Sequence, residues 1–87
     1  MGQTIHSEDY RALLTLLRSL REEAGLTQVE LAERLGRPQS FVSKIEVGER
    51  RLDVAELRML TEALGQDVVD IVQRWVSSLG SASHLGA

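Results

Sequence analysis

Residues 28–47, QVELAERLGRPQSFVSKIEV, decide how the chain is read. They form two short amphipathic runs separated by a tight turn at Gly36, the second run opened by Pro38. On a helical wheel advancing about 100° per residue, Phe41, Val42 and Ile45 of the second run share one arc, with Pro38 and Glu46 beside them. Gln39, Ser40, Ser43, Lys44 and Val47 occupy the opposite arc. One face is therefore apolar. The other carries small hydrogen-bonding groups and a cation, with little bulk to obstruct close approach by a partner.

The turn explains how the runs would pack. Ala32 and Gly36 lie four residues apart; a small side chain at 32 lets the second helix cross closely over the first, and glycine at 36 permits the positive φ of a sharp turn. Leu31, Leu35, Val42 and Ile45 then meet in one core. This is a helix-turn-helix with the second helix as reader. Its polar face suits the fixed donors and acceptors of base edges in a DNA major groove.

The stretch resembles the helix-turn-helix of the phage Cro/repressor type, the XRE family. The matching residues are Leu26-Thr27-Gln28, Glu30-Leu31-Ala32, Leu35-Gly36, Gln39-Ser40, Val42-Ser43-Lys44-Ile45-Glu46 and Gly48. The likeness runs from about residue 16 to residue 71, most of the chain. It implies an all-α fold: a compact five-helix, lambda-repressor-like domain with the helix-turn-helix at helices 2 and 3. Pro38 departs mildly from relatives that place Ser or Thr there, and proline is tolerated at a first helical position.

At 87 residues the chain is one domain, with 43% hydrophobic and 26% charged residues. There is no cysteine, hence no disulfide and no thiolate metal site. No apolar run approaches a membrane span, and the start MGQTIHSEDY lacks the pattern of a signal peptide, so a cytoplasmic protein is expected. The net charge is −3, against indiscriminate binding to nucleic acid, but the charge is unevenly placed. Residues 34–51 hold five cations (Arg34, Arg37, Lys44, Arg50, Arg51) and two anions, net +3, and the rest is net −6. Positive charge thus gathers on the stretch expected to face DNA.

Along the chain, residues 1–6 are read as a flexible lead-in, 7–79 as the helix-turn-helix domain and 80–87 as a flexible tail. Ser7 is the expected cap of a first helix running to about Ala24, with Tyr10, Leu13, Leu16, Leu17, Leu20 and Ala24 on one face. Leu14 lies in turns beyond the family minimum, and packs on the body or on another subunit. Thr27 and Glu30 form a Thr-x-x-Glu capping box for the second helix; Asp53 and Glu56 do the same for the fourth, and Asp67 caps a fifth from Val68 to about Leu79. Trp75, Val76 and Leu79 exceed what closing the core requires and suggest a homodimer contact. The competing reading folds that helix back and buries Trp75 in its own domain.

The resemblance assigns roles. Gln28 and the amides beginning the second helix would hold a DNA phosphate. Arg21, late in the first helix, would pair with Glu46 and brace the reading helix. Gln39, Ser40, Ser43 and Lys44 would read bases: glutamine matches adenine N6 and N7, lysine the guanine O6 and N7, and serine is permissive. Arg50 and Arg51 can reach phosphates flanking the groove, as can Arg37. An enzyme is not expected. The two histidines, His6 and His84, lie near the ends, and there is no nucleophile grouping, phosphate loop or metal-ligand spacing. Neither a cofactor nor a metal is expected. The expected function is sequence-specific binding of double-stranded DNA as a homodimer on a palindromic operator, repressing transcription by covering a promoter or contacting RNA polymerase or a regulatory protein. The alternative is a protein-interaction module, an adaptor or antitoxin-like partner, on the same fold.

Overall fold

The computed structural model describes residues 7–80. They form α1 (Glu8–Glu23), α2 (Gln28–Leu35), α3 (Gln39–Glu46), α4 (Val54–Ala63) and α5 (Val68–Ser78). Among the described residues there is no strand, in agreement with the all-α five-helix fold expected. The segments read as flexible, 1–6 and all of the tail but Gly80, lie outside the described residues, as do His6 and His84.

Each helix starts where a side chain takes up a free backbone amide. Ser7 Oγ accepts from the Tyr10 N–H at 3.2 Å. Thr27 Oγ1 accepts from the Glu30 N–H at 3.1 Å, and Glu30 Oε1 from the Thr27 N–H at 2.9 Å, completing the capping box. Asp53 and Glu56 make the same reciprocal pair at 2.7 and 3.1 Å. Asp67 Oδ1 accepts from the Val69 N–H at 2.7 Å. The exception is α3. Pro38, expected as its first helical residue, is instead its N-cap at φ −64° and ψ 154°, and makes no side-chain cap bond. Its ring already fixes a suitable φ, and its extended ψ turns the chain into the helix at the next residue. At the other end α3 stops at Glu46, with Val47 as a C-cap that is 63% exposed.

The core is centred on the helix-turn-helix. Leu31, Val42, Ile45 and Ile71 are each at most 1% exposed, and Leu17, Leu20, Leu57, Leu60 and Leu64 surround them. Ala32 is also buried, on a helix that packs against both α3 and α4. Thr61, wholly buried, donates its hydroxyl to the Arg58 carbonyl at 3.0 Å, which satisfies it inside the core.

The buried stripe of α1 is rotated from the expected one. Leu14 and Arg21 are buried, Leu16 is half-buried and Ala24 is exposed. The reason is that α1 is flanked by two helices, α3 and α5, so its covered face is wider and turned toward both. Leu14 packs into the body of its own chain. Trp75 lies against the core as well, and its Nε1–H donates to the Asp9 carbonyl at 2.7 Å, fastening α5 to the first turn of α1.

Gly36 has φ +67°, and a Cβ built there would meet nothing within 4 Å. Its requirement is conformational rather than steric. Gly36→Ala should therefore lower stability in urea unfolding by about 1 kcal/mol, and Gly36→Asn by less, because asparagine tolerates the left-handed region. Equal stability of Gly36→Ala and the parent would refute this account of the turn.

Candidate nucleic-acid interface

The apolar side of α3, Phe41, Val42 and Ile45, is buried, which turns the other side outward. Gln39, Ser40 and Lys44 are exposed, and Ser43 is half-buried, its hydroxyl donating to the Ser40 carbonyl at 3.3 Å. The four residues expected to read bases thus lie on one outward face of a two-turn helix.

That face is tied to the rest of the fold by a chain of polar contacts. Arg21 Nε donates to Glu46 Oε2 at 2.6 Å and its Nη2 to Glu46 Oε1 at 3.1 Å, while its Nη1 donates to the Leu26 carbonyl at 2.8 Å. The side chains of this pair are only 10% and 8% exposed. The hydrogen bond to Glu46 raises the Arg21 pKa further above its usual value, against the opposing effect of burial. Glu46 Oε1 also accepts from Gln28 Nε2 at 2.8 Å, and Gln28 Oε1 accepts from Gln39 Nε2 at 2.8 Å. The expected brace between Arg21 and Glu46 is present, and Gln28 extends it to Gln39. Gln28, expected at a phosphate, has its side-chain amide bonded at both ends within the chain, to Glu46 and to Gln39.

The cations flanking α3 are held by aromatic rings and one carboxylate. Gly48, at φ +83°, turns the chain back over α3, and the Lys44 carbonyl accepts from the N–H groups of Glu49 and Arg50 at 2.8 and 3.1 Å. Arg37 and Arg50 then both lie over the Phe41 ring, 4.6 and 4.7 Å from its centroid. Arg51 lies over Tyr10 at 5.4 Å, and the Tyr10 hydroxyl accepts from the Leu52 N–H at 3.1 Å. Arg50 makes a two-pronged pair with Glu56, Nη1 to Oε1 at 2.9 Å and Nη2 to Oε2 at 2.8 Å, and Nη1 also donates to the Arg51 carbonyl at 2.9 Å. Among the described residues Arg37, Lys44 and Arg51 form no ion pair.

Sequence reasoning missed several of these features. Arg50 and Glu56 are six residues apart across a loop, a spacing without a pairing rule, and Glu56 was already accounted for as a capping residue. Gln28 to Glu46 and Gln28 to Gln39 depend on the crossing of α2 and α3. Phe41 was read only as core, although Arg37 four residues before it carried a signal for a cation over its ring. Of the residues expected at a dimer contact, Trp75 is half-buried and bonded within its own chain, Leu79 is half-buried, and Val76 is 43% exposed.

The sequence profile of the helix-turn-helix domain family matches residues 12–72. A solved XRE-family-like protein from Pseudomonas syringae pv. tomato str. DC3000 is 50% identical, with a TM-score of 0.81 over 87% of this chain and 93% of that one. The chain belongs to the XRE family of helix-turn-helix proteins. An uncharacterized HTH-type transcriptional regulator of Sinorhizobium fredii, y4dJ, is 43% identical to this XRE protein over 53 residues, 61% of this chain and 69% of that one. The restriction–modification controller protein C.Esp1396I, solved as a tetramer in complex with its natural 35 base-pair operator, shares the fold at 22% identity, with a TM-score of 0.74 over 82% of this chain and 93% of that one. The family makes this XRE protein a DNA-binding regulator of transcription. Among the described residues no helix is long and apolar enough to cross a membrane.

Two outcomes follow for this XRE protein. Glu46→Ala strands the buried Arg21 charge and should cost about 3 kcal/mol in thermal or urea unfolding; Arg21→Ala should cost a similar amount, and the double variant less than the sum. A Glu46→Ala protein that melts like the parent would show that the brace is dispensable. The second outcome concerns acid. Hydrogen bonds from Arg50 and from the Asp53 N–H lower the Glu56 pKa from its usual 4.5 to about 2. Because the folded-state value is the depressed one, the stabilisation is full above pH 4.5 and is lost as the pH falls toward 2. Glu56→Gln should therefore have a lower Tm than the parent at pH 7, and the gap should close over that acid window. A gap independent of pH would rule out the charge as its cause.

Proposed function

We propose that the chain is a repressor that binds a palindromic operator in double-stranded DNA as a homodimer. Gln39, Ser40, Ser43 and Lys44 read base edges in the major groove, and Gln28, Arg37, Arg50 and Arg51 contact the flanking phosphates. The observation that carries this reading is the outward face of α3. It is polar and cationic, and it is held to α1 through the contacts linking Gln39, Gln28, Glu46 and Arg21. A side chain fixed before binding loses less entropy on contact. Gln39, whose amide nitrogen already serves Gln28, presents its amide in a defined orientation to adenine N6 and N7. The operator named with C.Esp1396I supports the same kind of target.

The homodimer would place two such helices about one helical turn apart on one face of the duplex, roughly 10 bp between half-site centres. Val76 and Val69 of α5, 43% and 60% exposed, support a contact between two copies there. Leu79 and the uncovered part of the Trp75 ring join it. Repression follows from occupying a promoter, with RNA polymerase or a regulatory protein as the further partner in its control. The protein works in the cytoplasm, where the DNA is.

Selection of bound duplexes from a random pool near physiological salt tests the proposal. Enrichment of a palindrome is the expected result. Gln39→Ala and Lys44→Ala should each weaken binding to it by about 1–3 kcal/mol and relax preference at one position per half-site. An enriched site without symmetry would overturn the homodimer, and a pool left unenriched would overturn sequence-specific reading.

A further inference from the structure

We infer that Glu56 weakens the hold of Arg50 on the DNA backbone: a carboxylate of the same chain fills one fork of the guanidinium and offsets its charge, so a phosphate either meets Arg50 at its remaining edge beside that anion or displaces it. The inference rests on the reading of this surface as a DNA interface and adds to it a residue that sets non-specific affinity.

The geometry is that of competition. Carboxylate and phosphate are alternative two-pronged partners for the same pair of guanidinium nitrogens. In Arg50 those nitrogens, Nη1 and Nη2, are both committed to Glu56, and Nη1 also serves the Arg51 carbonyl. That end-on fork cannot hold a phosphate and Glu56 together, whereas the Nε–H and the second Nη2 hydrogen form a side-on edge at which a phosphate would lie close to the Glu56 charge. Glu56 is not stranded by the exchange, because its Oε1 also accepts from the Asp53 N–H at 3.1 Å. The Arg50 side chain is 38% exposed, so a backbone oxygen can reach it, whereas Glu56 is 14% exposed and approaches from the protein side.

Neighbouring charge sets the consequence. Arg37 lies over the same Phe41 ring as Arg50, so the two cations stand within a Debye length, about 10 Å at 0.1 M salt. Arg37 has no ion pair among the described residues. Glu56 thus bonds one of two adjacent cations and acts on the other only through space. A Glu56 charge beside the bound phosphate retains cations near the DNA that Arg50 would otherwise release, so the pair contributes little net release of counterions. Removing the charge of residue 56 restores that contribution to every sequence alike.

Glu56→Gln isolates the effect, since glutamine also serves at this position of a capping box. The probe is a mixed-sequence DNA duplex of about 30 bp, long enough for two half-sites, titrated between about 0.05 and 0.2 M salt. The variant should bind more tightly, with a log–log salt slope steeper by about 0.9. Its advantage over the parent should grow about 3.5-fold for each fourfold dilution of salt. Arg50→Ala should not steepen the slope of the parent, and in the Glu56→Gln background it should abolish the steepening. Arg50→Lys, whose ammonium cannot fill both carboxylate oxygens in parallel, should have an intermediate slope. Equal slopes for Glu56→Gln and the parent would overturn the inference and leave the DNA interface standing, as would a steepening that survives Arg50→Ala. A parent protein that binds no duplex even at the lowest salt would overturn both.

Discussion

The pairing of Arg21 with Glu46 is the constraint on which the position of α3 depends. Both side chains are about nine-tenths buried, and three guanidinium nitrogens are satisfied, two by Glu46 and one by the Leu26 carbonyl. A buried pair of this kind adds little net stability compared with well-packed apolar side chains, because both charges lose their hydration. What it adds is direction. Apolar contacts between Leu20, Val42 and Ile45 are satisfied over a range of helix rotations, whereas two parallel hydrogen bonds to one carboxylate are satisfied at one. The exposed pairs Arg18–Glu22 and Arg58–Glu62 contrast with it: each lies on one helix at a spacing of four residues and orients nothing beyond that helix.

The same economy appears in the aromatic residues. The sequence has one Phe, one Tyr and one Trp. Phe41 fills the core with one part of its ring and carries Arg37 and Arg50 over the other. Tyr10 accepts from the Leu52 amide and underlies Arg51, which fixes the loop between α3 and α4 against α1. Trp75 joins the two ends of the helical assembly. The two aromatics on the cationic side are placed between the core and the arginines, so the cations are ordered by the same side chains that stabilise the fold.

The fold was legible because its determinants are local. Capping boxes such as Thr27 with Glu30, and Asp53 with Glu56, involve residues three apart, and a turn at Gly36 needs only one permissive residue. The outward face of α3 follows from helical periodicity alone. The pair of Arg21 and Glu46 spans 25 residues, and only the family resemblance made it visible. Where the reading fell short, the missing information was tertiary. The roles of Leu14 and Leu16 depend on α1 lying between two helices, which a wheel drawn for one helix does not contain. Glu56 has two functions on one carboxylate, and the local one, capping, hid the distant one with Arg50. Pro38 moved by one position because the rigid ring satisfies the geometry of a cap as readily as that of a first turn.

The hydrogen bond from Trp75 to the Asp9 carbonyl spans 66 residues of sequence. Closing so long a segment carries a larger loop-entropy cost than any local contact, and helices formed in between shorten the span to be closed. The lone indole therefore stands at the seam where the first and last helices meet. Its fluorescence is an intrinsic reporter of that closure, separate from the far-ultraviolet signal of helix formation. Comparing the two optical signals during refolding distinguishes a chain that gains helices before its ends dock from one in which both events are a single step.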